Sequence, residues 1–306
     1  MDRLDLIETF ATVARNLSFS RASQSLGQPL ATVSRKVSNL EDYLGVQLLV
    51  RTTRSVRLTP EGTQYLEKVF PILNALETAR DEVAQTNGTL SGELAITSPV
   101  PFGTQFLVPL ISRFLAAYPD ISVRHYFDNS YQDYVTSGID LGLRIGLLPD
   151  SGLRQIKLGA VRVVTCASPD YLEEHGTPQT LEEVGSHRTI AFGPFGARAR
   201  WNYLDRTGQE RWVEIDPVYT VDSVDAIRQT VLNGSGIGKF YSYQVAELVA
   251  CKRLKLVLTD FELEERPVSF LYPDVAHLPR RTRTFLDFAT PLLRERLTEI
   301  ARLFDG

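Results

Sequence analysis

Cysteine is nearly missing: Cys166 and Cys251 are the only two in 306 residues, and neither belongs to a CxxC or Cys/His cluster. That argues against a structural metal and against a disulfide framework, and leaves two small, semi-buried apolar residues as the plain expectation. Long apolar runs are missing too, since none approaches the roughly 20 residues needed to span a bilayer. The opening Met1-Asp2-Arg3-Leu4-Asp5 is acidic and helical in character, so no secretory signal is expected and the cytoplasm is the expected compartment. Catalytic signatures are likewise lacking: there is no GxSxG, P-loop or HExxH, and no GxGxxG after a strand. His125, His175, His187 and His277 fall in different elements with no adjacent nucleophile or metal partner. The glycines at 234, 236 and 238 precede a strand rather than a helix, which makes a poor phosphate loop. Neither an enzyme nor a cofactor is expected.

One absence is local. From Phe10 through Leu40 there is no carboxylate, while Arg15, Arg21, Arg35 and Lys36 fall inside that stretch. Residues 1–60 carry a net charge of +3 and the remainder −7, within a formal total of −4. Opposite signs in one chain suggest a nucleic-acid-binding head on an acidic body.

The first 59 residues read as three helices and a wing. Leu4, Ile7, Phe10, Ala11 and Ala14 recur at helical spacing. The Ser18–Ser20 stretch stops that helix, with Ser20 expected to cap the next. Gly27 suits a left-handed terminator and Pro29 the first turn of a third helix, in which Val33, Val37 and Leu40 face inward. A helix, a glycine turn and a helix is the unit that lays its second helix in a major groove. A three-helix packing unit with a solvated polar face would read the same way up to this point. The following stretch, with Arg51, Arg54 and Arg57, reads as a two-stranded wing that reaches neighbouring phosphates, and this favours the DNA reading.

The run from Pro29 to Glu41, then Leu44-Gly45-Val46, Leu48-Leu49, Arg51, Thr52 and Arg54, and finally Leu58 to Gly62 resembles the winged helix-turn-helix head of LysR-type transcriptional regulators. The resemblance implies DNA contacts from Ser20, Arg21, Pro29, Leu30, Ala31, Thr32, Ser34, Arg35, Lys36, Arg51, Thr52 and Arg54. Ser34 and Arg35 match the family's Ser-Arg pair in the recognition helix. Leu30 and Ala31 depart from the family's common Gln-Pro or Pro-Ser, which removes a polar base-reading group from the start of the helix. Leu30 and Thr32 offer apolar contact to thymine methyls instead.

Residues 60–88 read as a long helix and hinge. Thr59 caps it, and Pro60 and Glu61 suit its first turn. Tyr65, Val69, Ile72, Leu76, Ala79 and Val83 are spaced as a heptad seam, which predicts pairing with a second copy. Leu66, Phe70 and Leu73 widen the stripe, as in a helix packed on its own body. Pro71 is expected to bend the helix, and residues 86–92 form a hinge by composition.

From 89 to 306 strands and helices alternate: strands near 93–97, 121–126, 139–145, 161–166, 189–192, 236–240 and 268–272, with helices near 106–118, 131–137, 169–175, 222–232 and 280–303. That order implies mainly parallel sheets with helices on both faces. The body is similar to the family's effector-binding domain, which looks like a periplasmic binding protein. The expected architecture is therefore an α+β multidomain chain: a winged helix-turn-helix at 1–59, a linker helix at 60–88, and a two-lobed α/β domain at 89–306. Lobe I is expected at 91–161 and 268–303, and lobe II at 162–267. A free-standing solute-binding protein would share the body but not the head. The matching cleft positions are Ser98, Pro99, Phe102, Arg144, Ile145, Gly146, Phe192, Asp222, Ser223 and Lys239. The cation at Lys239 favours a carboxylate or phosphate effector. Implied partners are double-stranded DNA, further copies of the chain in a homodimer or dimer of dimers, and RNA polymerase, with no membrane.

Overall fold

The computed structural model describes residues 2–52, 55–84, 90–128, 134–147, 152–193, 199–274 and 278–304. The head holds α1 (Arg3–Asn16), α2 (Phe19–Leu26) and α3 (Leu30–Leu44), then the wing strands β1 (Leu49–Arg51) and β2 (Val56–Leu58). Phe10, Ala14, Ala22, Val33, Val37 and Leu40 fill its core. Each of the larger ones contributes roughly 1.5–3 kcal/mol of burial. Gly27 ends α2 at φ +60, as its lack of a Cβ allows. Two expected details shift. Ser18, not Ser20, caps α2, its Oγ accepting from the Arg21 N–H at 3.3 Å. Leu17 turns left-handed, so the extended cap residue arrives two positions early and Ser20 lies within the first turn. Pro29 is itself the N-cap of α3 rather than its first helical residue.

Helix α4 (Pro60–Ala84) leaves the wing with Thr59 capping it: the Thr59 hydroxyl accepts from Gly62 N–H at 2.9 Å. A Cβ at Gly62 would lie 2.0 Å from the Leu48 carbonyl oxygen, so backbone contact welds α4 to the wing. Leu66, Val69 and Leu73 join the head core and Tyr65 packs against it. Of the expected hinge at residues 86–92, residues 86–89 lie outside the described residues and Gly92 already opens a strand.

The body holds two five-stranded sheets. The first runs in the order β4 (Ile121–Phe127), β3 (Gly92–Ser98), β5 (Leu141–Ile145), β14 (Arg266–Pro273), β6 (Leu153–Val161). The second runs β11 (Pro217–Val221), β8 (Thr189–Phe192), β12 (Ile237–Tyr241), β7 (Val163–Ala167), β13 (Lys255–Val257). Neighbouring strands pair in parallel in one half of each sheet, β4–β3–β5 in the first and β11–β8–β12 in the second. Strand β14 runs antiparallel to β5 and β6, and β7 runs antiparallel to β12 and β13. In each sheet four strands therefore share one direction, and the strand entered from the other lobe, β14 in the first and β7 in the second, runs against them, so the expected mainly parallel sheets each carry one reversed strand. A separate hairpin, β9 (Ala199–Leu204) with β10 (Glu210–Ile215), was not anticipated.

Helices α5 (Val100–Phe102) and α6 (Val108–Ala117) run on through a π-helical turn at Gly103–Leu107. This most apolar stretch lays Phe102, Leu107 and Phe114 into the core, so its hydropathy serves packing. The remaining helices are α7 (Tyr134–Ser137), α8 (Pro169–His175), α9 (Val224–Leu232), α10 (Ser242–Ala250) and α11 (Arg280–Arg302). The chain crosses between sheets at Arg162 and again between Val257 and Arg266. Arg162 binds both oxygens of Glu262, at 2.8 and 3.0 Å, and donates to the Phe304 carbonyl at 3.0 Å. The crossovers and the chain end are thus tied together.

Candidate functional site

Two surfaces hold the expected site residues. On the head, Arg21, Pro29, Leu30, Ala31 and Arg35 are exposed, as is Ser20, while Thr32 and Ser34 are half-buried. The side chains of Arg21, Arg35 and Arg57 form no ion pair among the described residues. Leu30 is 48% exposed at the start of α3, where an apolar side chain gains nothing from the fold itself.

Two expected DNA contacts are otherwise engaged. Lys36 reaches back to Asp5 on α1 at 2.5 Å and to the Gln28 side-chain oxygen at 2.9 Å, and its side chain is only 15% exposed. It braces α3 against α1. Arg51 binds Glu41 at 2.6 Å, stands near Ser34 and Ser38 at 3.3 and 3.4 Å, and lies over the Phe19 ring. Glu41 also accepts from the N–H groups of Leu48 and Leu49 at 3.0 and 3.1 Å. One carboxylate therefore fixes the wing to the end of α3, a role the sequence reading missed. Thr52 sits in the wing turn, its N–H donating to the Ser55 carbonyl at 2.9 Å. Arg54 lies outside the described residues.

The seam divides. Tyr65 and Val69 face the head's own core, whereas Ile72 is 58% and Leu76 44% exposed, with Ala79 also exposed. The side chain of Val83 lies outside the described residues.

Between the lobes is a cleft of about 920 Å³. Pro99, Arg144, Ile145, Phe192, Asp222, Ser223 and Lys239 line it, and Ser98, Phe102 and Gly146 do not. Those three placements correct the sequence reading. The Ser98 hydroxyl is buried 2.8 Å from His125 Nε2, and a Cβ at Gly103 would collide with it. Phe102 is core, with ring centroids 4.7 Å from Phe106 and 5.2 Å from Tyr243. Gly146 turns the chain at φ +115, its N–H bonded to the Pro267 carbonyl. Residues missed from the lining include Gln105, Asn202, Arg228, Tyr241 and Arg266. Asn202 lies on the unanticipated hairpin and Gln105 in the π-helical turn, while Arg228, Tyr241 and Arg266 lie on α9, β12 and β14, where periodicity gives the element but not which side chains meet across the cleft.

Within the cleft, Ser223 caps α9, accepting from Ala226 N–H at 3.3 Å. Arg228 pairs with Asp225 at 2.7 Å. Arg144 is buried, donating to the Leu143 carbonyl at 2.8 Å and standing near the Thr97 hydroxyl. Lys239 donates to the Asn202 carbonyl, and its Nζ lies 3.8 Å from the centre of the Tyr203 ring. Burial, and then the Arg266 cation, bring its pKa down to about 7. Burial pushes the Cys166 thiol well above its usual range, which removes the thiolate that reactivity requires. Cys251 is exposed.

A winged head carrying unpaired arginines, joined to two lobes around a cleft, is the architecture of a DNA-binding regulator with a ligand-binding body. Residues 4–63 match the family of bacterial regulatory helix-turn-helix proteins of the lysR type, and residues 87–294 match the LysR substrate binding domain. Regulator CrgA of Neisseria meningitidis is 34% identical over 92% of this chain and 94% of its own. The solved CrgA structure aligns with a TM-score of 0.60 over 94% of this chain and 98% of that one. Regulator YhjC of Escherichia coli is 32% identical, covering 97% of this chain and 100% of its own. The full-length structure of the Vibrio cholerae virulence activator AphB is 27% identical, with a TM-score of 0.61 over 95% and 99% of the two chains. The chain belongs to the LysR family of transcriptional regulators: it is a DNA-binding regulator with a substrate-binding domain for an effector, not an enzyme.

Proposed function

We propose that the protein reads an inverted repeat as a symmetric assembly, with α3 in the major groove and the wing on the flanking backbone. The observation that carries this is the set of exposed, uncompensated arginines, Arg21, Arg35 and Arg57, around the exposed start of α3. One recognition helix covers only a few base pairs, so two are needed for a half-site pair. Exposed Ile72, Leu76 and Ala79 on α4 supply a seam for the first pairing. A second contact is available at the sheet edges, where β4 exposes Tyr126 and Phe127, and β11 exposes Val218 and Tyr219. Unpaired edges with apolar side chains favour association. Together they support a dimer of dimers acting in the cytoplasm.

Effector binding in the cleft shifts the population between packings of the body, which alters the angle between paired heads, the bend of the DNA and contact with RNA polymerase. The test is a mobility-shift titration against the upstream region of the protein's own gene, at several salt concentrations. Salt-sensitive, sequence-selective binding that Arg35→Ala weakens at one base pair is expected. Equal weakening of that variant on random DNA would remove the base-reading role. A strict monomer by light scattering at micromolar concentration would remove the paired architecture.

A further inference from the structure

The cleft holds a charge imbalance that the fold does not resolve. Among its lining residues Arg228 is matched by Asp225, and Arg144 engages Leu143 and Thr97. Lys239 and Arg266 remain, both half-buried, and neither forms an ion pair among the described residues. The acid that acts on Lys239, Glu262, is held by Arg162 through both oxygens. Two neighbouring cations in a partly dry site repel each other and lack a counter-ion, an expensive arrangement unless an anion completes it.

We propose that the cleft binds a monocarboxylate with an apolar body, its carboxylate seated between Lys239 and Arg266. The proposal rests on the reading of the cleft as the effector site and names what that site takes. A guanidinium fork matches a planar carboxylate in two parallel hydrogen bonds, and the ammonium adds a third. Asp222, which also lines the cleft, penalises a second negative charge such as that of a phosphate dianion. Pro99, Val163, Val224, Phe240 and Leu263 supply apolar wall, and the Phe192 ring stands exposed at the end of β8.

Seating the anion has a second consequence. The groups facing Lys239 are Arg266 from β14, Glu262 from the second crossover, Tyr203 and the Asn202 carbonyl from β9, and Tyr241 further along β12; Arg228, Asp222 and Asp225 stand on the α9 side. None of the acids among them neutralises the ammonium, and burial holds its pKa near 7. A carboxylate alongside raises it again, so binding above about pH 7 draws a proton from solution.

The experiment is titration calorimetry on the full-length protein with benzoate, phenylacetate and hexanoate, each against its neutral amide, at each pH in two phosphate-free buffers of unlike ionisation enthalpy that hold that pH. At least one acid is expected to bind about tenfold or more tightly than its amide. At about pH 9 the heat should differ between buffers by up to one proton per site, and at about pH 6 the buffers should agree. Lys239→Met and Arg266→Gln should each weaken the acid by about tenfold or more. Lys239→Arg should keep most affinity and abolish the buffer dependence, because arginine stays charged. Acids and amides binding alike, or no acid binding, would overturn the seat. A mobility shift on the same preparations separates the two readings. Retained DNA binding with no carboxylate preference removes only the seat, whereas no DNA binding removes the regulator reading itself.

Discussion

The head and the cleft both carry basic side chains, and they treat them in opposite ways. In the head, Lys36 and Arg51 meet Asp5 and Glu41 from elsewhere in the same small domain, while Arg21, Arg35 and Arg57 are exposed. In the cleft, Lys239 and Arg266 are half-buried and form no ion pair among the described residues. A compensated cation is a brace that fixes α1, α3 and the wing to one another. An uncompensated one is a demand on a partner: DNA for Arg35, a small anion for Lys239. Residue type and position in a motif do not separate these roles, whereas the nearest carboxylate does.

The comparison can be broken at several points. Glu41→Ala strikes hardest, because it strands Arg51 together with the N–H groups of Leu48 and Leu49. The head should lose about 3–5 kcal/mol, seen as an early transition in thermal unfolding followed by circular dichroism. An unchanged melting curve would mean that the wing needs no such anchor. The cleft should show the opposite signature with pH. Lys239 has a folded pKa of about 7 against an ordinary value of 10.5, so the unfolded chain binds more protons between them. Stability therefore rises through that window, by at most about 1.4 kcal/mol per pH unit, and is penalised below it. Lys239→Met should flatten this slope in urea titrations at stepped pH, and an unaltered slope would show that the amine titrates normally.

Smaller effects separate the two kinds of arginine and lysine in the head. Arg35→Ala should cost about 1–3 kcal/mol of specific binding while leaving the melting temperature alone. Lys36→Met should do the reverse, costing about 1 kcal/mol of head stability with the salt slope of DNA binding nearly unchanged. If Lys36→Met instead lowered that slope by about one, the lysine would be a phosphate contact after all.

What the sequence makes legible is what local chemistry controls. The stripe of Val33, Val37 and Leu40, the left-handed Gly27, and the strands β3, β5 and β8 follow from periodicity and turn residues within a few positions. The pairing of Lys36 with Asp5 spans 31 residues and leaves no periodic trace. Ser18 and Ser20 are equally good caps on paper, and the left-handed Leu17 decides between them. In the cleft, family spacing placed seven of ten expected residues on the wall. It failed at Gly146, which turns the chain, and at Ser98 and Phe102, which are the end of a strand and the first turn of a helix that face inward to His125 and Tyr243. The hairpin β9–β10 is local, pairing Leu204 with Glu210 around Gly208, and its turn residues were a signal left unused, whereas Arg266 pairs with Val161, more than a lobe away along the chain.

Tyr243 belongs to α10 beside the second sheet, yet its ring lies against Phe102 and Phe106 beneath the first, and Gln105 reaches its carbonyl. The two lobes consequently share one oily interior rather than meeting as separate bodies across a wet seam. A swing of tens of degrees would tear that interior open, so whatever message an occupant delivers must travel as a slight twist. Only a long lever such as α4, magnifying a shift of an ångström into a turn of the reading heads, would make so small a movement felt on the chromosome.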